Sequence, residues 1–231
     1  VVNSALLSDW LDRQGHVFER KHVFEPRLNP ALRPFLPGPE APPRAKRILV
    51  YGRPLENRNC WPILRRGLEI WAREHPEQGD WEVVSAGADH APVKLAGGRR
   101  VRPVGKLSRE DYGRMLAGTA VGGSLMASPL PSYPPLEMAH FGLRVITNRY
   151  GDKDLSRLHD DIASLPDPRP ETLARVLAET CAAVEADPGA DPGADPGAGG
   201  RGASRLPGYV DGDPFPPAAD IAANLAALLR G

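Results

Sequence analysis

Positively charged side chains follow two of the short apolar runs that the sequence predicts to be β-strands. Arg53 and Lys106 each come directly after the glycine that ends such a run, and Arg58 lies five residues beyond Arg53. A helix predicted to start near Pro134 adds free amide hydrogens and about half a positive charge at its amino end. Fixed positive groups of this kind are suited to bind a diphosphate.

Two residues beside that helix start carry chemistry suited to a nucleoside. Glu137 lies one turn into the predicted helix, and an ionised carboxylate accepts hydrogen bonds from sugar hydroxyls. Tyr133 immediately precedes the helix, where its ring can stack on a base or its hydroxyl can bind a phosphate. Together with the cations, these residues predict a site for a nucleoside diphosphate with its ribose attached.

Each of these residues is also compatible with a structural role. An exposed arginine or lysine after a strand is commonly a solvated charge. Glu137 can offset the helix dipole, a contribution of about 0.3–1 kcal/mol, and Tyr133 between prolines can pack as a wedge. The functional interpretation depends on all of these residues sharing one edge of the predicted sheet, because open parallel sheets bind ligands beyond the carboxyl ends of their strands.

Several other chemistries have no supporting pattern in the sequence. There is no GxxxxGK(S/T) phosphate-binding loop, no nucleophile elbow, and no histidine at metal-ligand spacing from a carboxylate or cysteine. Cys60 and Cys181 stand too far apart for a zinc module. Residues 197–202 match GxGxxG, but no predicted strand precedes them and no helix follows them. We therefore predict no metal in the site and no cofactor.

The charge balance and hydropathy narrow the range of partners and locations. The 231 residues include 29 basic and 29 acidic side chains, so the net charge is zero. This balance offers no electrostatic footprint for nucleic acid or an anionic membrane. No apolar run approaches the roughly 18 residues that a membrane-spanning helix needs. The sequence predicts a cytoplasmic protein that does not bind nucleic acid.

The candidate residues lie in a region where predicted strands and helices alternate. We predict strands over 47–52, 81–87, 101–105, 122–128 and 144–148, and helices over 59–75, 108–119, 134–141 and 171–185. Repeated strand–helix units with apolar strands are typical of a parallel sheet that is covered on both faces. The predicted fold class is α/β, a Rossmann-like doubly wound parallel sheet.

Composition divides the chain into five predicted parts. The ranges are 1–30, the end of a truncated amino-terminal domain; 31–46, a proline-rich connector; 47–185, the Rossmann-like domain; 186–216, a low-complexity disordered spacer; and 217–231, a carboxyl-terminal helix. The spacer prediction rests on three copies of a four-residue unit that lacks the apolar content to fold.

Residues 104–156 and 48–54, with the strings SYPPLEMAxFG and KDLS, resemble the carboxyl-terminal domain of GT-B glycosyltransferases. The resemblance covers about residues 47–185 and is strongest to bacterial S-layer glycan type rhamnosyltransferases of the retaining family 4 group. Residues 1–15 are similar to the end of that family's amino-terminal domain. The resemblance implies the carboxyl-terminal, donor-binding half of a GT-B fold.

By motif match, the resemblance gives each candidate residue a role. Arg53 and Lys106 would hold the diphosphate of the donor. Arg58 or Asn59 replaces the lysine that the family has a few residues after the GR turn, with Arg58 as an additional phosphate contact. Tyr133 and Glu137 would hold the nucleoside, Glu137 through ribose hydroxyls. The catalytic residues are not identified in this part of the enzyme.

The activity that the resemblance implies is hexosyl transfer, with retention and without an essential metal, from a nucleotide sugar to a glycan acceptor. The expected donor is dTDP-rhamnose, and the acceptor would bind through the amino-terminal domain. The full-length enzyme would act in the cytoplasm, associated with the inner face of the membrane, and this part alone would turn over little. Two alternatives remain open: a noncatalytic nucleotide-binding or scaffold domain of the same fold, and a sugar epimerase.

Overall fold

The computed structural model describes residues 2–186, apart from residues 20 and 39, together with residues 204–206 and 208–211. Within these ranges, seven strands form one sheet and five α-helices pack around it. In chain order the elements are α1 (Ala5–Arg13), β1 (Ala45–Gly52), α2 (Trp61–Glu74), β2 (Glu82–Gly87), β3 (Val93–Lys94), β4 (Arg100–Gly105), α3 (Arg109–Ala117), β5 (Thr119–Gly123), α4 (Tyr133–His140), β6 (Arg144–Asn148), β7 (Ile162–Leu165) and α5 (Pro170–Ala186).

The sheet is a doubly wound parallel sheet, which confirms the predicted fold class. Its strand order is β3-β4-β2-β1-β5-β6-β7. Every pairing is parallel except that of β3 with β4. The chain winds from β1 toward β3 on one side, then crosses to β5 and winds toward β7 on the other. The direction of winding therefore reverses between β1 and β5, where open α/β sheets form their binding crevice.

Apolar side chains cover both faces of the sheet. On one face, α2 and α5 pack together, with Trp71 completely buried and Leu177 nearly so. On the other face, α4 and the turn after it bury Met138 and Phe141, and Leu116 of α3 joins the same cluster. Burial of such side chains contributes about 1.5–3 kcal/mol each relative to exposure. The two layers hold the strand ends, and hence the loops that follow them, in fixed positions.

The sequence prediction was right about the main alternation and wrong at several boundaries. Predicted strand 122–128 ends at Gly123, because the Met126 amide donates to the Asn148 side chain and the Ala127 amide to the Arg58 carbonyl instead of continuing the ladder. The short strands β3 and β7 were not predicted. Outside the sheet, an isolated bridge joins Val2 and Val23.

The predicted connector is partly packed against the core. A 3₁₀-helix over Pro30–Phe35 starts where the Asn29 side chain accepts a hydrogen bond from the Ala31 amide at 3.0 Å. Leu28 and Leu32 are buried in the cluster beneath α4. The apolar residues between the prolines explain why this stretch folds against the sheet domain.

The predicted spacer over 186–216 lies mostly, and the predicted helix over 217–231 wholly, outside the described residues. Residues 204–206 and 208–211, which the sequence prediction placed in the disordered spacer, pack on the domain instead. Leu206 and Tyr209 are buried in the same cluster as Leu28. Their apolar side chains provide the burial that the glycine-rich repeats lack.

A glycine in α2 tests the packing of the two helices on the first face. A Cβ at Gly67 would lie 2.5 Å from Leu173 Cδ2 and 3.1 Å from Leu173 Cβ on α5. We expect Gly67→Ala to lower the free energy of unfolding by about 1–3 kcal/mol, because overpacking outweighs the gain in helix propensity. Denaturant titration measures this change.

Gly118→Ala is the matched control, because its added Cβ meets nothing closer than 3.7 Å. The backbone angle φ of Gly118 is −94°, which alanine adopts freely. We expect its free energy of unfolding to stay equal or rise slightly. Equal values for Gly67→Ala and the wild type would show that the α2–α5 contact relaxes without cost.

Candidate functional site

A cleft of about 660 Å³ opens beyond the carboxyl ends of the parallel strands. It lies where the winding of the sheet reverses, and its walls come from the loops after β1, β2, β4 and β5 and the first turn of α4. Parallel strands point their carboxyl ends to the same edge, so loops far apart in sequence meet there. A cleft of this size is in the range of small-molecule sites.

The five residues predicted from sequence all line this one cleft. They are Arg53, Arg58, Lys106, Tyr133 and Glu137. The cations follow β1 and β4, whereas Tyr133 and Glu137 lie one turn apart on α4. The geometry therefore brings the predicted phosphate and nucleoside groups together, while their roles toward a ligand stay predictions.

The cations of the cleft are only partly neutralised. Glu56 carries an ion pair with Arg53, with 3.1 Å between Nη2 and Oε1, and a longer one with Arg58 at 3.9 Å. Lys106 is exposed and forms no ion pair with any residue that the structure describes. Two guanidinium groups share one carboxylate, and a free ammonium group lies in the same cleft. The wall that follows β1 and β4 thus attracts anions.

The amino end of α4 offers fewer donors than the sequence predicted. The helix begins at Tyr133, so Pro134 and Pro135 occupy its next two positions. Proline has no amide hydrogen, and this removes two of the donors that a helix amino terminus normally presents. The expectation of several free amide hydrogens is therefore wrong. An anion in this cleft would depend on the side-chain cations.

Glu137 lies half-buried on the cleft wall. Burial raises the pKa of its carboxyl group to about 7, and the Tyr112 hydroxyl and the charge of Arg109 oppose this rise. Both neighbours lie on α3, whose amino end is capped by Ser108. The carboxyl group is therefore near the midpoint of its titration at neutral pH.

A network of hydrogen bonds fixes the loop after β5. The backbone of Met126 donates to Asn148 Oδ1 at 2.6 Å and accepts from Lys153 Nζ at 2.9 Å. The next amide, Ala127, donates to the carbonyl of Arg58 at 2.7 Å. Lys153 is 4% exposed, and burial lowers its pKa to about 8. The loops after β1, β5 and β6 are thus held to one another at the cleft floor.

The segment around Tyr209 packs against the end of α4. The Tyr209 ring stacks on His140 with 3.8 Å between the ring centroids. His140 donates from Nδ1 to the carbonyl of Leu136 at 2.8 Å, and burial lowers its pKa to about 4. The carbonyl of Tyr209 accepts from the amide of Leu28 at 2.8 Å. A neutral imidazole therefore stacks on Tyr209 at the carboxyl-terminal end of the helix that carries Glu137.

Sequence reasoning missed several residues of the cleft. They are Ser132, Arg109 and Tyr112, all of which line it. Isolated polar or charged residues carry no spacing signal, so nothing in the sequence distinguished them. Lys153 was visible only as part of the KDLS string that carried the family resemblance.

The described residues contain neither a metal-binding cluster nor a membrane-spanning helix. No group of three or more His, Cys, Asp or Glu side chains in the described ranges is arranged to hold a metal ion. Among the same residues, no helix is long and apolar enough to cross a membrane.

Comparison with known proteins gives one family match and several relatives. The family model described as WsaF, C-terminal domain, matches residues 46–178. The O-antigen biosynthesis protein RfbC of Myxococcus xanthus is 34% identical over 153 residues, which covers 64% of this chain and 12% of the relative. The chain therefore spans about an eighth of the length of this curated relative.

Solved structures share the fold at low sequence identity. The pneumococcal O-GlcNAc transferase GtfA in complex with UDP and GlcNAc aligns with a TM-score of 0.52 at 10% identity, covering 80% of this chain and 38% of that chain. A glycosyltransferase from Rickettsia africae ESF-5 aligns with a TM-score of 0.51 at 14% identity, covering 79% and 52% respectively.

The family match covers more than half of the chain and the same β-α units that form the cleft. The observed fold agrees with the resemblance of the sequence to the carboxyl-terminal domain of GT-B glycosyltransferases. The chain belongs to the WsaF C-terminal domain family, and it has the fold of the carboxyl-terminal domain of a GT-B glycosyltransferase.

Proposed function

We propose that this chain is the donor-binding part of a glycosyltransferase and that its cleft holds a nucleoside diphosphate sugar. The observation that carries the proposal is the convergence of the cations Arg53, Arg58 and Lys106, the Tyr133 ring and the half-buried Glu137 carboxyl group on a single cleft, which Arg109 also lines. The family membership supports the same assignment. Acceptor binding is assigned to the parts of the enzyme beyond this chain, since the relatives are much longer.

The cations would act on the leaving group. Transfer breaks the bond between the anomeric carbon and the β-phosphate oxygen, and negative charge grows on the diphosphate as that bond opens. Arg53 and Lys106, with Arg58 beside them, provide fixed positive charge on the cleft wall. We infer that these side chains stabilise the leaving diphosphate without an essential metal and that transfer retains the anomeric configuration.

The nucleoside would lie against α4. Tyr133 is 37% exposed, so its ring face is accessible for stacking on a base. Glu137 would accept hydrogen bonds from ribose hydroxyls in its ionised form. We favour dTDP-rhamnose as the donor, which offers only the 3′ hydroxyl to Glu137, whereas UDP offers two.

The biological setting follows from the relatives and from the donor. The Myxococcus relative is described as an O-antigen biosynthesis protein, which supports a role in making a surface polysaccharide. We assign the enzyme to the cytoplasm at the inner face of the membrane, because nucleotide sugars and the growing glycan meet there. The glycan acceptor would bind across the cleft from this domain.

The phosphate contacts are tested by calorimetric titration of dTDP, UDP and the matching nucleosides. Loss of a charge-assisted hydrogen bond costs about 1.5–3 kcal/mol. We therefore expect Arg53→Ala and Lys106→Ala to bind the nucleoside diphosphates about tenfold or more weakly than the wild type does. Their affinity for the nucleosides should change very little. Lys94→Ala removes an exposed lysine outside the cleft and is the control. A wild type that binds neither nucleotide would refute the proposed function.

The pKa of Glu137 predicts how binding changes with pH. Because this pKa is raised to about 7, the carboxyl is mostly protonated at pH 6 and mostly ionised at pH 8. If the ionised form binds ribose, the dissociation constant of the wild type is about tenfold larger at pH 6 than at pH 8, in inverse proportion to the ionised fraction. Glu137→Gln should bind nucleoside and nucleotide alike more weakly, without this added pH dependence.

The ratio of the dissociation constant of Glu137→Gln to that of the wild type reports the titration of Glu137 alone, because ionisation of the ligand phosphate affects both proteins equally and cancels. His140 does not contribute in this range, since its pKa is lowered to about 4. A ratio that stays constant from pH 6 to 8 would show that the carboxylate does not contact the ribose. An unchanged affinity of Glu137→Gln at every pH would leave Glu137 with a structural role only.

A further inference from the structure

Two uncharged polar side chains on the cleft wall are buried without partners. Asn59 and Ser132 are each 1% exposed, and both line the cleft. Neither the amide nitrogen nor the amide oxygen of Asn59, nor the hydroxyl of Ser132, has a hydrogen-bond partner among the described residues. Buried polar groups of folded proteins are paired in the large majority of cases. The three unpaired atoms border the same cleft, which indicates that a ligand completes their bonding.

The position of Asn59 is held by the backbone around it. The 3₁₀ turn Asn57–Asn59 ends at Cys60, which adopts a left-handed conformation with φ 50° and ψ 35° although it is not glycine. The Arg58 carbonyl accepts a hydrogen bond from Ala127, which ties the turn to the loop after β5. An unfavourable backbone conformation persists only where its surroundings enforce it. Asn59 is thus presented to the cleft by a constrained turn.

The bonding capacity of these groups distinguishes between parts of a nucleotide sugar. A carboxamide has two donor hydrogens and an acceptor oxygen, and a serine hydroxyl both donates and accepts. Ionised phosphate oxygens only accept, so they would leave the Asn59 oxygen unpaired. Sugar hydroxyls donate and accept, and they satisfy both groups. The arginines and Lys106 already provide the charge that a diphosphate requires.

We propose that Asn59 and Ser132 bind the hydroxyls of the transferred hexosyl group and so determine which donor sugar the cleft accepts. This inference rests on the proposed function, because it places the sugar beside the diphosphate in the same cleft. A site built to bond hydroxyls discriminates strongly against a group that lacks them, since its own polar atoms are then left unpaired. Both residues are assigned to recognition of the sugar.

The test compares dTDP with dTDP-rhamnose, and UDP with UDP-glucose, by calorimetric titration of the intact chain. For Asn59→Ala and Ser132→Ala we expect the nucleotide sugars to bind about five- to tenfold more weakly than to the wild type. The dissociation constants of dTDP and UDP should change by less than about twofold. Asn57→Ala alters an exposed residue of the same turn. Ser124→Ala removes a fully buried, unpartnered hydroxyl that does not line the cleft. Both control variants should match the wild type for all four ligands.

Asn59→Asp separates the sugar from the phosphate as the partner. A carboxylate beside a phosphate would repel it, so a large loss of dTDP affinity would overturn the proposal, whereas a carboxylate beside a hydroxyl leaves dTDP binding nearly unchanged. Equal losses for the diphosphate and the nucleotide sugar in the alanine variants, or no loss for either, would also overturn it. Thermal melts identify any variant that fails to fold, and Ser132→Ala then decides the outcome. Absence of binding of all four ligands to the wild type would instead refute the proposed function.

Discussion

The cleft depends on a constraint of parallel sheets, the requirement that all strands end at the same edge. Here the winding reverses between β1 and β5, so the connections after these neighbouring strands run to opposite faces and leave a gap between them. The residues that give the cleft its chemistry lie in the loops and helix starts at this edge of the sheet, after β1, β4 and β5. The loops keep their positions because Met126 and Ala127 bond to groups that follow β6 and β1. The sheet provides the edge, and the hydrogen bonds hold its loops in register.

The charge of the cleft is uneven, and the unevenness has a local cause. On one wall, Glu56 is the counter-ion of Arg53 and Arg58, and both arginines stay accessible at the surface of the cleft. On the other wall, burial raises the pKa of Glu137 by more than Tyr112 and Arg109 lower it. The same cleft therefore combines an anion-attracting side with a carboxyl group that is neutral or charged according to pH. This asymmetry matches a ligand with a charged middle and a polar, uncharged end.

Sequence patterns were sufficient for the residues whose position follows from topology. Arg53 and Lys106 come directly after strands of a parallel sheet, so the edge that they share could be predicted. The donors at the start of α4 were overestimated, because the helix begins at Tyr133 and the two prolines after it have no amide hydrogens. Ser132 could not be found from the sequence, and Asn59 could be placed only where the family has a phosphate-binding lysine. What marks both residues is burial without a partner, and burial exists only in the folded chain. The short strand β7 was missed because its four residues carry too little periodicity.

The hydrogen bond between Leu28 and Tyr209 joins two parts of the chain that are 181 residues apart. A ribosome makes the sheet and all the residues of the cleft long before it makes Tyr209. Until then, the back of α4 lacks its aromatic cover, and Leu28 lacks a backbone acceptor. The closing of this layer is therefore a late step of biosynthesis, and the glycine-rich stretch that precedes Ser204 sets the length of chain that must emerge before the domain is complete.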